Sequence, residues 1–499
     1  MSGLTEMDIP PLYILLAVVS IYFLFQHIWA SKRPRGLKAI PKASVLPFIG
    51  DSIRLFKDGP RLAQERLEKL GPIWESWVFG ERTFFVMKAD MLKWCLNKEY
   101  DAVESDWPKS TKVLLGKHAV ATAAGEHHKL LRKILRPPFS VTAVNDLMPR
   151  MADIARRCCD RWAAQGRGKG LMFAKDYTFT IALDIILGFD ETLLTNATIE
   201  SCTEAFSVWN DGLFSFPINL PGTAFHKAIE AKKVLMGYLD QNLELLKEKK
   251  RKGLSAASKG EQASCAEGLL DVKDEEGNGL SEDELKDLFL TLLFAGHDTS
   301  AATITRLFSE LPRHPDVWNR LIAEQQQVAA EHGTQIDGAA VKAMTYTDAV
   351  VKEILRLHPI VGGTFRRALT DFNLCGYHVP KGSKLFLNIG HAMTNDERWE
   401  GETGDLALPR FCPERWLTEA GARTGAWMPF GGGPRMCLGY LLATAEIKVL
   451  LAVMARGYEW RPVDINEPFS CFPLGGHPIN GLAMDFIKLP QPRIQEGSE

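Results

Sequence analysis

Beyond residue 50 the chain is dominated by apolar positions that recur every three to four residues. Segments 142–165, 225–250, 282–311 and 316–331 carry this period, and each predicts a helix. In the third, Leu285, Leu288, Phe289, Leu292 and Leu293 form one stripe, and Ser281 with Glu284 fits a capping box that opens it. Two stretches alternate instead: "IWESWVFGERTFFVMKA" (73–89) reads as a hairpin turning at Gly80, and "FNLCGYHVPKGSKLFLNIG" (372–390) as a second strand pair. In "PFGGGPRMCLGYLLATAEIKVLLAVMARG" (429–457) a glycine-rich loop runs directly into a helical pattern of Leu442, Ile447, Leu450, Leu451 and Met454. Cys437 sits just before that helix or within its first turn. The class is mainly α with a minor β part.

One apolar run has no period. Residues 12–30, "LYILLAVVSIYFLFQHIWA", at roughly 1.5 Å per residue approach the thickness of a bilayer core, about 30 Å. Glu6 and Asp8 precede the run, while Lys32, Arg33, Arg35 and Lys38 follow it, so the remainder is expected on the cytosolic side. A cleaved signal peptide is the alternative, but a basic leading region is missing. Residues 1–31 are read as a single-pass signal anchor, in the endoplasmic reticulum rather than a plastid membrane. Residues 32–50, with Pro34, Pro41 and Pro47, form a stiff extended spacer. Residues 51–499 are one catalytic domain, and the basic, then Ser/Ala/Gly-rich stretch 247–268 is a surface connection between helices.

Composition narrows the function. The 499 residues are 46% hydrophobic and 24% charged, with a net charge of −2, a globular profile that gives no sign of a nucleic-acid partner. Nine cysteines are scattered without a Cys-x-x-Cys pair, which argues against a disulfide framework, a zinc site or an iron–sulfur cluster. Most are expected to be buried small apolar groups in a reducing compartment.

Cys437 stands apart. Its loop lacks the Gly-Lys-Ser/Thr of a phosphate-binding loop, and no suitable strand leads in for a dinucleotide fingerprint. A surface loop with a packing cysteine remains one reading. The other is a metal thiolate: a helix N-terminus lowers a thiol pKa, glycines let backbone approach a flat cofactor, and Arg435 can meet a carboxylate on it. One thiolate and a nearby arginine describe a haem iron held by a single axial sulfur.

The stretch "FGGGPRMCLG" resembles the haem-binding signature of the cytochrome P450 monooxygenases, Phe-x-x-Gly-x-Arg-x-Cys-x-Gly, at every fixed position. The resemblance implies haem b, Cys437 as the axial metal ligand, and Phe430 and Arg435 as cofactor contacts. "FAGHDTSAA" (294–302) is similar to the family's long helix over the haem, interrupted near Ala-Gly-x-Asp/Glu-Thr. Thr299 then resembles the hydroxyl that hydrogen-bonds dioxygen, and Asp298 the acid that relays protons. "KEILRLHP" and "FCPERW" imply a buried structural triad of Glu353, Arg356 and Arg415. Arg366 in "GGTFRRAL" resembles a propionate-binding arginine. In "GEHHKLLRKILRPPFS", His128 and Arg132 match a Trp-x-x-x-Arg motif, with histidine replacing tryptophan.

Further segments, "DWPKSTKVLLGKHAV", "FSFPINLPGTAFHKAIEAKK" and "VKEILRLHPIVGGTFRRAL", look like the retinoic-acid hydroxylases and their sterol- and terpenoid-hydroxylating relatives. The resemblance implies a retinoid, sterol or other terpenoid substrate and a cavity lined by Trp107, Leu114, Leu115, Phe214, Phe216 and Ala295. No flavin or nicotinamide module is visible, so electrons are expected from NADPH-cytochrome P450 reductase, docking through Lys129, Lys133 and Arg136. The competing functions are a haem-thiolate isomerase or dehydratase and a non-catalytic lipid or haem-binding protein.

Overall fold

The computed structural model describes residues 50–494 apart from breaks at 79, 256–262, 274–276, 278, 400–409, 419–424 and 471–475, and before them residues 20, 34 and 36–43. The apolar run 12–30 therefore lies outside the described residues, save Ser20. Among the described residues no helix is long and apolar enough to cross a membrane. The described part of the proline-rich spacer is extended and tied to the domain: Lys42 bridges Glu75, Lys38 bridges Tyr377, and the Ala43 N–H donates to the Glu75 carbonyl at 2.7 Å.

In chain order the long elements are α1 (Ser52–Leu70), β1 (Ile73–Val78), β2 (Glu81–Val86), α2 (Ala89–Asn97), β3 (Val103–Ser105), α3 (Lys109–Leu115), α4 (Gly125–Leu135), α5 (Val141–Gln165), β4 (Arg167–Lys169), α6 (Gly170–Ile181), α7 (Asn196–Gly212) and α8 (Ala224–Arg251). Then follow α9 (Glu282–Glu310), α10 (Pro315–His332), α11 (Thr345–Leu357), β5 (Thr364–Ala368), β6 (Phe372–Leu374), β7 (Tyr377–Val379), β8 (Lys384–Leu387), α12 (Tyr440–Gly457), β9 (Tyr458–Pro462) and β10 (Ala483–Lys488). The helices expected from apolar periodicity occur within a residue or two of their predicted ends.

Helix α9 threads the centre. Its capping box forms as the sequence suggests, with the Ser281 side chain accepting from the Glu284 N–H and the Glu284 carboxylate accepting from Ser281. Its polar first turn reaches the surface, while Leu288 to Leu290 and Ala301 to Thr305 are buried. The expected interruption at Gly296 does not appear, and the helix is continuous through it. The Thr299 hydroxyl donates to the Ala295 carbonyl at 2.8 Å, a back-bond compatible with an unbroken helix. Helix α12 lies in the same core, buried from Ala445 to Arg456.

The strands build a five-stranded sheet in the order β1-β2-β8-β5-β3, a three-stranded sheet β4-β10-β9 and the hairpin β6-β7. The segment 372–390 is thus not one strand pair. Its first part is the hairpin, whereas β8 leaves it to run parallel to β2 and antiparallel to β5. At the end of the stretch 247–268, Ser264 and Glu267 make a capping box for a short helix, Cys265–Leu269, that buries Cys265.

Behind the cysteine loop, Glu353 and Arg356 are fully buried on α11 and paired by two parallel hydrogen bonds of 2.9 and 2.8 Å. Glu353 also accepts from the Cys412 N–H at 3.0 Å and the Trp416 indole at 2.9 Å, and Arg415 approaches it at 3.5 Å. Arg356 and Arg415 donate to the carbonyls of Arg410 and Trp399. One carboxylate thereby gathers segment 410–418 onto α11. Breaking such a buried pair on one side costs about 3–5 kcal/mol.

Candidate active site

The loop before α12 is a series of tight turns. The Gly431 N–H donates to Met428, the Met436 N–H to Gly433, and the Cys437 N–H to the Phe430 carbonyl at 2.9 Å. Gly433 has φ +64°, and a Cβ there would lie 2.1 Å from the carbonyl oxygen of Leu96. Only glycine satisfies both demands. The helix begins at Tyr440 with Gly439 as its cap, so Cys437 precedes the first turn.

Cys437 sits deep in the fold yet keeps exposed surface, because it opens onto an internal cavity of about 370 Å³. Burial pushes its thiol above the ordinary value, against the Gly439 N–H and the charge of Arg132. The expected lowering by the helix N-terminus is therefore outweighed: the sulfur lies ahead of the cap and in apolar surroundings. A thiolate at this position calls for a cation in the cavity.

On the same cavity lie His128, Arg132, Arg366, Arg435 and Phe430. Helix α4 carries His128 and Arg132 one turn apart on its inner face, and Arg132 donates to the Met436 carbonyl at 2.7 Å, beside the cysteine. Arg366 comes from β5, where it pairs in register with Ser105 of β3. Arg435 donates to the Ala123 carbonyl at 2.6 Å. Burial, then the charges of Arg435 and Arg132, push His128 down to about 3, so its ring is neutral.

Trp107, Phe214, Ala295 and Thr299 also line the cavity, with Val120, Ile186, Leu292, Phe294 and Ile360. Leu114 and Leu115 do not. Ser110 and Thr111 hold the Leu213 carbonyl at 2.7 and 2.6 Å, which docks α3 on the α7–α8 junction and turns both leucines into the helical core. Phe216 is 69% exposed on the loop between α7 and α8.

Asp298 faces away from the cavity. It accepts from the Asn210 amide at 2.7 Å and meets the Lys175 ammonium at 3.2 Å. Burial works to raise its pKa, but His297 and Lys175 outweigh it and keep the carboxyl below its usual range. Burial drives His297 itself to about 3, which leaves Lys175 as the standing positive charge. A second acid, Glu446 of α12, lines the cavity and is raised to about 8 by burial, only partly offset by Ser300.

Lys175, Asn210 and Glu446 escaped the sequence reading, as did Glu99 and Tyr100, which stand behind the arginines and His128. Each meets its partner across a long stretch of chain and belongs to no short motif. A single thiol, side-chain-free backbone at Gly431 and Gly432, and three arginines on the same cavity suit a flat, dicarboxylate iron porphyrin.

The arrangement defines a haem-thiolate protein. The family model described as Cytochrome P450 matches residues 40–477. The taxane 13-alpha-hydroxylase of Taxus cuspidata is 29% identical over 97% of this chain and 98% of its own length. Cytochrome P450 26C1 of Mus musculus is 31% identical over 94% and 91%. A solved structure, a retinoic acid-bound cyanobacterial CYP120A1, is 28% identical with a TM-score of 0.79, covering 91% of this chain and 100% of that one.

The chain belongs to the cytochrome P450 family. It is a monooxygenase, and its cofactor is haem with an axial cysteine thiolate.

Gly433→Ala tests the loop geometry. The methyl meets backbone rather than a movable side chain, and alanine disfavours the positive φ. The expected result is a loss of more than about 3 kcal/mol, seen as a lowered melting temperature and a lower yield of haem-loaded protein. Gly431→Ala, where nothing lies within 4 Å of the new Cβ, should be milder.

Proposed function

We propose that this monooxygenase hydroxylates a long, apolar molecule of the retinoid, sterol or terpenoid type. The observation that carries this reading is the cavity lining: away from the arginine cluster and Cys437, the side chains that line it are mostly aromatic or aliphatic. Such a lining binds by burying apolar surface, at roughly 25 cal/mol per Å². The printed names of the relatives, a taxane hydroxylase and a retinoic acid-bound structure, support the same class. The apolar run 12–30 would hold the enzyme at the endoplasmic reticulum membrane, where such substrates dissolve.

Cys437 would ligate the iron, while Arg132, Arg366, Arg435 and His128 would hold the haem carboxylates, with Phe430 packed beside them. When bound, haem supplies dioxygen activation: one oxygen atom enters a substrate C–H bond and the other leaves as water, using two electrons and two protons. The protein's part is to bring those protons without flooding an apolar chamber. Thr299 presents its hydroxyl to the cavity and parks its proton on the Ala295 carbonyl, from which rotation frees it to donate. Asp298, one residue back, is oriented by Asn210, draws on the Lys175 ammonium and passes protons to Thr299 by side-chain rotation or through a water.

Helix α4 serves electron delivery in the same reading. Its inner face carries His128 and Arg132, while Lys129, Lys133 and Arg136 are exposed at its outer face and end. An acidic face of NADPH-cytochrome P450 reductase would dock there, close to the cysteine loop.

Titrating the purified ferric enzyme with retinoids, sterols and carotenoid fragments should give a low-to-high-spin shift with at least one, followed by its NADPH- and reductase-dependent hydroxylation. Spin shifts without product from any of them would favour a carrier. In Thr299→Ala, product per NADPH should fall about tenfold or more while NADPH consumption continues; a full product yield would remove Thr299 from proton delivery. Charge reversal of Lys133 and Arg136 should raise the reductase concentration needed for half-maximal turnover, more steeply at low salt. An unchanged requirement would move the docking face elsewhere.

A further inference from the structure

Three of the groups that face the cavity are held from behind by two consecutive residues that do not line it. Helix α2 ends at Asn97, and the chain reverses before β3 with Tyr100 at φ +72°, a conformation that residues other than glycine rarely adopt. This turn drives Glu99 inward, where its side chain is fully buried. The Glu99 carboxylate meets the Arg366 Nε at 3.0 Å with one oxygen and the Arg435 Nε with the other. It also accepts from the Ser105 N–H at 3.0 Å. Tyr100, next along the chain, joins its hydroxyl to the Nδ1 of His128, while the Lys129 ammonium rests over its ring at 4.8 Å.

Two physical consequences follow. The first is charge. Arg132, Arg366 and Arg435 together bring three positive charges to the cavity, and the one carboxylate of Glu99 reduces the net to two, which matches the two carboxylates of haem b. In a buried site an uncompensated charge is costly, so the balance matters as much as the contacts. The second is orientation. A phenol that donates to Nδ1 of a neutral imidazole leaves the proton on Nε2, the nitrogen on the ring's other side. With the phenol as donor, the remaining ring nitrogen of His128, a cavity-lining residue, is a hydrogen-bond donor rather than an acceptor.

We propose that Glu99 and Tyr100 are positioning residues for the haem carboxylates: Glu99 fixes Arg366 and Arg435 and sets the net charge, and Tyr100 fixes His128 as a donor. A strained backbone retained at Tyr100 agrees with this, since such strain persists where several contacts over-determine it. The proposal concerns the haem pocket alone and is independent of which substrate the enzyme takes.

The test compares Glu99→Gln, Glu99→Asp and Tyr100→Phe in the full-length, haem-loaded protein. The readouts are the rate of haem transfer to excess apomyoglobin, the ferric/ferrous midpoint potential, and the melting temperature. Glu99→Gln removes a buried negative charge near the haem, so its midpoint should become more positive and its haem transfer about tenfold faster. Glu99→Asp keeps the charge and should keep the midpoint while still releasing haem faster. Tyr100→Phe should speed haem transfer by about two- to tenfold with the midpoint unmoved. If Glu99→Gln does not accumulate with haem, the two charge-preserving variants decide. The proposal is overturned if Glu99→Asp shifts the midpoint as far as Glu99→Gln does, if Tyr100→Phe releases haem at the native rate, or if the variants differ only in melting temperature.

Discussion

The backbone of Gly433 lies against the carbonyl of Leu96 so closely that a single methyl group would not fit. That contact joins the end of α2 to the turn that carries Cys437. Because α2 ends one residue later, the chain that leaves it delivers Glu99 to Arg435 on the loop just docked. The antiparallel pairing of β3 with β5 then sets Ser105 opposite Arg366, which brings the second arginine to the same carboxylate. The sulfur and the cations thus share one frame, and a shift of the loop would move all of them together.

The Phe430 end of the loop connects to a second buried ion pair through edge-to-face rings, Trp427 and then Trp416, whose indole donates to Glu353. Glu353 accepts from Arg356, from a backbone N–H and from an indole, while Arg356 and Arg415 satisfy the carbonyls of Arg410 and Trp399. Buried ions gain little over apolar packing in stability, but they tolerate few alternative arrangements, because any other geometry strands a charge away from water. In this protein one such pair touches Arg435 of the cysteine loop directly, and the other reaches Phe430 through the rings of Trp416 and Trp427. Their value lies in placing the thiol and the arginines within a narrow tolerance.

Helix α9 separates two environments. Toward the cavity it shows Leu292, Phe294, Ala295 and Thr299, and on its other side Asp298 meets Lys175 and Asn210. A continuous helix with a threonine bonded back to its own carbonyl keeps the polar side one side chain away from the apolar side. An apolar chamber excludes the water that would otherwise compete for the reaction, while the charges of Asp298 and Lys175 are paired on the helix's other side. Glu446, kept neutral near pH 7 by burial, places another acid on the same cavity from α12.

Much of this could be read along the chain. Long helices such as 282–310 announce themselves, because apolar periodicity and capping residues act over a few neighbouring positions. The signature around Cys437 is equally local, since a tight turn must place glycines, arginine and cysteine at fixed spacings. What escaped was settled by contacts between distant segments. Strand β8 joins β2 across some three hundred residues rather than its neighbouring hairpin. Leu114 and Leu115 are apolar whether they line a cavity or fill a core, and only the docking of α3 on the α7–α8 junction decides between the two. Glu99 and Tyr100 look like ordinary loop residues until the fold sets Arg435, Arg366 and His128 beside them. Short-range chemistry is written in adjacent residues, whereas the pairing of buried charges depends on which surfaces the whole chain brings together.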